Sequence, residues 1–410
     1  MLQSLLNDRH LLCDDEAPRP MESLHRNRCR QVHTLFGTIT LTRNYYYHCA
    51  AQSGRCPLDE LLDLTRGYTP ALTRIICRAS ACSGSYQQGA QDLLIYTGLS
   101  LESRNFGRLV HSVTAPLEQA LATLPPEDQN LPKILYVSND GTGLPCRRAE
   151  LQGRAGKQPD GTARTREAKL GCVFTQTSTD ENGQPLRDVD STSYVGTLED
   201  CREIGTLLRQ EALRRGYAGA GQTVFLGDGA PWVWENARLN FPGAVEILDF
   251  YHASEHLGEL TAALWGRGSE KAAKHQEQWS SRMKHSSASK VMTTARRLLK
   301  QRREELSPEQ IEILEREINY FDTHAERTRY QHFREQGFFI GSGVIEAGCK
   351  TIVGKRMKQS GMFWGEQGGE DLLKLRCLIL GPHFDAAWTA RRDILETQRQ
   401  EKRRWSPSLN

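Results

Sequence analysis

The sequence predicts an α/β protein: a mixed sheet with an all-helical insertion, preceded by a small β segment and a helical region. Two observations carry that prediction. Three apolar runs, in "KILYVSNDG", "QTVFLGDGAPW" and "AVEILDF", each lead into an aspartate, and residues 257–336 are almost wholly helical in composition with no strand candidate. Taken in chain order after residue 132, the elements read β-β-β-α-β-α-β-α, with the helical block inserted before the last helix. That is the order of a ribonuclease-H-like sheet.

The first element is the Thr- and Tyr-rich stretch "LFGTITLTRNYYYH" (35–48), whose alternation fits a β-hairpin or short sheet. Residues 70–122 change to helical spacing, with a break at Gly98 and a second helix opened by Ser100 or Ser103. Helix, short glycine turn and helix fit either a helix-turn-helix DNA reader or a plain helical hairpin. "LPPEDQNLP" (124–132) is the clearest linker. Beyond it come the strand 133–141, then two strands around an Asn182-Gly183 turn. An amphipathic helix closed by Gly216 follows, then the strand before Asp228, a helix to about Asn240 and the strand before Asp249. "GSGVIEAGCKTIVGKRM" restarts a helix after the insertion. The expected organisation is an N-terminal segment (1–68), a helix-turn-helix-like region (69–123) and a catalytic domain in two parts (124–256 and 337–385). The insertion (257–336) separates those parts, and a basic tail (386–410) ends the chain.

With 25% charged and 38% apolar residues, the 410-residue chain has the profile of an ordinary globular protein. It contains no run of 18 apolar residues and its start lacks the pattern of a signal peptide, so a cytoplasmic location is expected and no membrane contact. Eleven scattered cysteines do not make a secreted disulfide framework. The net charge of +3 is uninformative, but its distribution is not. Residues 147–169 hold seven basic side chains against three acidic ones, and 282–303 hold eight and no acid. Lys350, Lys355, Arg356 and Lys358 form a third group. Each is explicable as a solvated face; three in one chain point to a polyanion such as DNA.

Asp140, Asp228 and Asp249 would meet at one end of the sheet, in the crevice where open α/β sheets bind ligands. Carboxylates gathered there repel one another unless a hard divalent cation lies between them. Glu346, the sole acid between Glu335 and Glu366, would complete such a site from the helix after the insertion. Two ions held this way can serve phosphodiester chemistry. The alternative, turn aspartates and a helix-dipole glutamate, accounts for each residue singly but not for their company.

At this point the motifs "DGTG", "ELQGRAGKQPDGTARTREAKLGCVFTQ", "GDGAPWVW", "ILDFYHASEHL" and "GSGVIEAGCKTIVGKRMKQSGMFW" resemble the Kra-type bacterial insertion-sequence transposases, within the Mutator-like group of DDE transposases. The resemblance covers roughly residues 32–381. It implies Asp140, Asp228 and Glu346 as a DDE triad binding two Mg²⁺ or Mn²⁺ ions, with Asp249 and His252 as a supporting D-x-x-H pair. It also implies strand cleavage at the ends of an element, joining of the 3′-hydroxyl to target DNA, and a dimer or higher oligomer on DNA in the bacterial nucleoid. Arg154, Lys157, Arg164 and Arg166, in a glycine-rich loop, are expected to grip phosphates, as are Lys350, Lys355, Arg356 and Lys358. Trp232, Trp234 and Trp364 are candidates for stacking on unpaired bases, with core packing as the alternative. Such transposases carry a Cys-x-x-Cys pair after the tyrosine-rich strand; here His48, Cys49 and Cys56 stand instead, so no structural zinc is expected. The short segment before residue 32 further implies an N-terminal region truncated relative to longer relatives.

Two rivals remain. The chain could be an inactive, DNA-binding relic of such an enzyme. Alternatively "HASEH" (252–256) matches the H-x-x-E-H zinc peptidase pattern, with Glu259 or Glu326 as a further ligand. The peptidase reading leaves Asp140, Asp228, Glu346 and the basic clusters unexplained.

Overall fold

The computed structural model describes residues 1–8, 17–126, 131–156, 158 and 161–404, the side chains of 399–404 excepted. Lys157 lies outside the described residues. The chain divides into two compact units, one of Met1–Leu124, Lys355–Ile379 and His383–Asn410, the other of Pro125–Gly354 and Leu380–Pro382.

The first unit opens with an antiparallel hairpin, β1 (Glu22–Thr34) and β2 (Gly37–His48), to which β3 (Ser53–Arg55) adds an edge. The hairpin begins earlier than the sequence suggested. "ESLHRNRCRQVHT" forms a full strand although polar residues dominate it, because most of its side chains stay exposed or half-exposed. Helices α1 (Pro70–Cys82), α2 (Tyr86–Thr97) and α3 (Ser103–Thr123) follow. Ser85 caps α2 through the Gln88 amide, and Gly98 ends it in the left-handed conformation at φ 71°. The helix, glycine turn and second helix are therefore present, with α1 packed against both.

The second unit is built on a five-stranded sheet of β4 (Ile134–Pro145), β5 (Thr165–Gln176), β6 (Ser193–Thr197), β7 (Gln222–Gly227) and β8 (Val245–Leu248). Its order is β8-β7-β4-β5-β6. Strands β4, β7 and β8 run parallel, whereas β5 is antiparallel to both β4 and β6. The Asn182-Gly183 turn belongs only to a two-residue ribbon (Ser178–Thr179 with Pro185–Leu186), and the third long strand comes later, at β6. Leu135, Val137, Leu170, Val173, Val224, Leu226 and Ile247 are fully buried along these strands. Such near-continuous apolar runs mark strands covered on both faces. On one face α4 (Cys201–Arg214) fits so closely that a Cβ on Gly171 would lie 2.5 Å from Leu208. Helix α5 (Pro231–Asn240) leads from β7 toward β8.

Four long helices follow β8: α6 (Phe250–Trp265), α7 (Glu270–His285), α8 (Ala288–Arg302) and α9 (Pro308–Thr323). Helix α9 starts with a reciprocal cap between Ser307 and Gln310. Across 257–336 every described element is helical, as the composition implied. The chain then returns through α10 (Gly343–Gly348), which widens at once into a π-helical turn at Cys349–Gly354.

Residues 337–385, expected to belong wholly with the sheet, divide instead at Gly354. Helices α11 (Glu366–Ile379) and α12 (Phe384–Arg404) belong to the first unit. The reason is apolar matching: Leu375, Leu378, Ile379, Phe384 and Ala387 share one buried cluster with Cys77, Val110, Val113 and Leu117 of α1 and α3.

Candidate active site

The parallel directions of β4, β7 and β8 bring their three aspartates to one end of the sheet. Asp228 and Asp249 each follow the last residue of a strand. Asp140 is different: β4 runs on for five residues past it, still paired with β5, so the expectation that the strand ends there is corrected. What ends is the pairing to β7, at Ser138 with Leu226. Asp140 stands just beyond that point, where one side of the strand opens.

Asp249 is completely buried and caps α6. One oxygen accepts the His252 amide at 2.7 Å and faces His252 Nδ1 at 3.2 Å; the other accepts the Ser342 amide. Burial alone would push its carboxyl pKa upward, but these donors outweigh burial and hold it below the ordinary value. In return, the hydrogen bond to Asp249 raises His252 to about 9, against the opposing effect of burial and with help from the charges of Asp249, Asp228 and Glu255. His252 is therefore an imidazolium oriented by a sealed carboxylate.

Glu346, on α10, joins this pair. Ligand atoms of Asp249, His252 and Glu346 lie within 4.8 Å of one another. Exposed Lys350, one turn along, approaches Glu346 at 3.9 Å. The same stretch reaches Asp140: Cys349 Sγ donates to Asp140 Oδ2 at 3.5 Å, and the Gly141 amide donates to Oδ1 at 2.6 Å. The Asp140 carboxyl is raised, chiefly by burial and further by the charge of Asp228. Asp228 accepts the Ala230 amide at 3.0 Å, and Tyr320 of α9 points its hydroxyl at the Asp228 main-chain carbonyl. Asp140 and Asp228 make no ion pair with a lysine or arginine among the described residues. The acids fall into two groups, Asp249 and Glu346 beside His252, and Asp140 with Asp228; carboxylates are hard oxygen donors, and their mutual repulsion is what a divalent cation relieves. The residues fit Mg²⁺ or Mn²⁺.

The basic candidates separate. Arg154 and Arg164 are exposed and line a cavity of about 600 Å³ along Gly141 and Gly143 of β4. Arg166 belongs to β5 rather than to the loop; it is only 8% exposed and faces Glu199. Arg356 is 2% exposed, donates to the Ser80 carbonyl and lies over the rings of Tyr86 and Trp364. Arg166 nevertheless lines the same cavity as Arg154 and Arg164, whereas Arg356 is taken up by its neighbours, so its assignment to DNA contact is corrected: long arginine stems are readily consumed in packing. Lys350, Lys355 and Lys358 are exposed. Trp234 is buried beneath Arg327, Trp364 packs under Arg356, and Trp232 is half-buried.

The peptidase alternative has no geometry behind it. His252 is tied to Asp249, while His256 is bonded to Glu317 at 2.6 Å. Glu259 pairs with Arg267 and Glu326 with Arg329. The buried Cys56 donates its thiol to the Asn44 carbonyl, and Cys49 is exposed.

Sequence reasoning missed Tyr251, whose ring is 64% exposed in the first turn of α6 between Asp249 and His252. It borders Gly341, where a Cβ would lie 2.9 Å from the ring and 3.7 Å from the Asp249 carboxylate. It missed Tyr320 and Cys349 as well. Only Tyr251 carried a signal: an aromatic next to a candidate site residue.

Comparison with known proteins adds a family. The whole span of residues 8–385 matches the uncharacterised protein family UPF0236. The chain belongs to that family. No curated protein matches it. Among solved structures, the Drosophila P element transposase strand transfer complex is similar over 77% of this UPF0236 chain and 92% of its own, at 9% identity and a TM-score of 0.36. A likeness that weak decides nothing here, and the site's own geometry carries the reading. No described helix is long and apolar enough to cross a membrane.

Proposed function

We propose that this UPF0236 chain is a DDE transposase that cleaves double-stranded DNA at the ends of a bacterial insertion sequence and joins the freed 3′-hydroxyls to target DNA. One observation carries the reading: Asp140, Asp228 and Asp249 with His252 lie at the same end of parallel strands, and the stretch from α10 brings Glu346 to Asp249 and His252 and Cys349 to Asp140. Strand order β8-β7-β4-β5-β6, with β5 antiparallel, supports a ribonuclease-H-like arrangement of the catalytic unit.

Asp140, Asp228 and Glu346 are the residues that would hold the cations. When bound, two divalent ions activate the attacking oxygen and neutralise charge on the leaving one. The rest falls to the protein. Buried Asp249 fixes the ring of His252, whose positive charge is aimed into the acid cluster and offsets the charge of the reacting phosphate. Arg154 and Arg164 hold the backbone along the bare glycine stretch of β4. Tyr251 offers an open ring face to a base beside the cleaved bond. In cleavage, water's oxygen replaces the bridging oxygen on phosphorus and the 3′-hydroxyl leaves. In joining, that hydroxyl forms a new phosphodiester as a target strand's bridging oxygen departs, so one bond is exchanged for another.

The test is strand cleavage and transfer by purified protein on duplexes bearing the DNA that flanks its gene. Asp228→Asn and Glu346→Gln are each expected to lower the rate by about a thousandfold or more, with gel-shift affinity for DNA unchanged. Variants as active as wild type overturn the assignment.

A further inference from the structure

The helical insertion contributes no acid to the constellation, yet one of its helices reaches the strand end. Tyr320, near the end of α9, places its hydroxyl 3.3 Å from the main-chain carbonyl of Asp228. Gly229, the next residue, stands at φ +101°, and a Cβ on it would lie 2.4 Å from the Tyr320 hydroxyl. Glycine there satisfies two demands at once, a left-handed backbone and room for the ring.

Tyr320 is itself braced. Its ring stacks on His256 of α6, with centroids 3.7 Å apart and planes at 19°. His256 Nδ1 meets Glu317 Oε2 at 2.6 Å, one turn back along α9. Glu317 is 2% exposed and also takes two bonds from Arg316, at 2.9 and 2.7 Å. Three side chains from two helices thus fix a ring whose hydroxyl ends on the loop of Asp228. That loop needs an anchor, because the Asp228 carboxylate has only the Ala230 amide, 3.0 Å away, as a hydrogen-bond donor among the described residues. Metal-binding carboxylates work within a few tenths of an ångström, and neighbours that orient them are worth about 10–100-fold in metal affinity or activity.

We propose that Tyr320 is a positioning residue for the second acid, and that the His256–Glu317 pair holds Tyr320 in place. The inference rests on Asp228 being a metal-binding acid of the proposed reaction. It gives the insertion a defined part in that reaction: it sets the geometry of a group it does not supply. It also accounts for the second histidine of "HASEH", which braces a tyrosine instead of binding zinc.

The experiment compares the full chain with Tyr320→Phe, which removes the hydroxyl and keeps the stacked ring. Two readouts are taken: calorimetric titration with Mn²⁺ alone, and strand cleavage with kcat and KM for DNA separated. Expected are an Mn²⁺ affinity and a kcat each lowered about tenfold, the lower end of losses at such neighbours, with KM and melting temperature unchanged. Tyr320→Leu, which also loses the stack on His256, is expected to match those losses and to melt earlier. A Tyr320→Phe chain within twofold of wild type in both readouts overturns the inference. So does one that melts early and loses only KM, since that is a purely structural role. If wild type takes up no Mn²⁺ and titrates like Asp228→Asn, the functional reading falls along with the inference. A wild type that binds Mn²⁺ beside an unaffected Tyr320→Phe removes the inference alone.

Discussion

Three acids in the first unit come with arginines. Asp63 meets Arg391, both nearly sealed from water; Glu22 meets Arg55 at 3.0 Å; Asp59 takes bonds from Arg30 and Arg43. At the strand ends of the second unit the pattern reverses. Asp140 and Asp228 feel each other's charge, and what they receive is two amides and a thiol. A half-buried carboxylate without a lysine or arginine beside it is costly, so folding alone gives no reason to bring two together. In the first unit the acids belong to the packing. At the strand ends they match the proposed reading, in which a cation joins them.

The contrast breaks most sharply under neutralisation. Asp63→Asn strands Arg391, only 2% exposed, opposite an uncharged amide, and is expected to lower stability by about 3–5 kcal/mol. Asp140→Asn removes a charge that no lysine or arginine pairs with among the described residues, so in chelator the variant should unfold no earlier than wild type. Adding Mg²⁺ should raise the wild-type midpoint and leave that of Asp140→Asn where it was. Urea unfolding of the two variants, with and without the ion, decides the point. Equal destabilisation by both substitutions would mean that the strand-end acids are structural after all.

A histidine away from the strand ends sharpens the comparison, because there the second unit refuses charge. His324 is 5% exposed, and burial, with the charges of Arg327 and His256 nearby, holds it down to about 4. An unfolded chain takes up that proton near 6.5, so stability is fully present above 6.5 and is lost as pH falls toward 4. The loss should total about 3 kcal/mol, at about 1.4 kcal/mol per pH unit. Acid unfolding followed by tryptophan fluorescence measures it, with His324→Gln expected to flatten that limb of the curve. A limb of unchanged slope in the variant assigns the acid sensitivity elsewhere.

The sequence exposes this contrast only in part. The acids were legible because "KILYVSND", "TVFLGD" and "AVEILD" are short apolar runs that each end in an aspartate, and such runs read as buried strands. Strand β1 was not, since a half-exposed strand has no apolar run to show. The extent of β4 past Asp140 was hidden because "GTGLP" reads as a turn, although pairing with β5 keeps it extended. Arg356 sits in a basic cluster indistinguishable from a phosphate-binding one until Tyr86, Trp364 and Ser80 are seen around it. Contacts such as Tyr320 with Asp228, 92 residues apart, leave no local trace at all. Charge and periodicity are written locally; what a side chain is used up by is not.

Aromatic rings give the smallest and most specific form of the contrast. Trp364 is half-buried against Arg356 in the first unit, and Trp234 is buried against Arg327 in the second. Tyr251 keeps its face open beside the acids, and its position against Gly341 fixes where the ring can be. Stacking on an unpaired base contributes about 1–3 kcal/mol. For a ring at the rim the low end applies, so Tyr251→Ala should weaken binding of a DNA end with one unpaired terminal base by about fivefold. Tyr251→Trp should restore it, and a fully paired duplex should bind all three proteins alike. Fluorescence of a 2-aminopurine at that position, quenched by a stacked ring, reports the contact directly. The same weakening on paired and unpaired ends would show that Tyr251 supports the fold of the α6 start and makes no base contact.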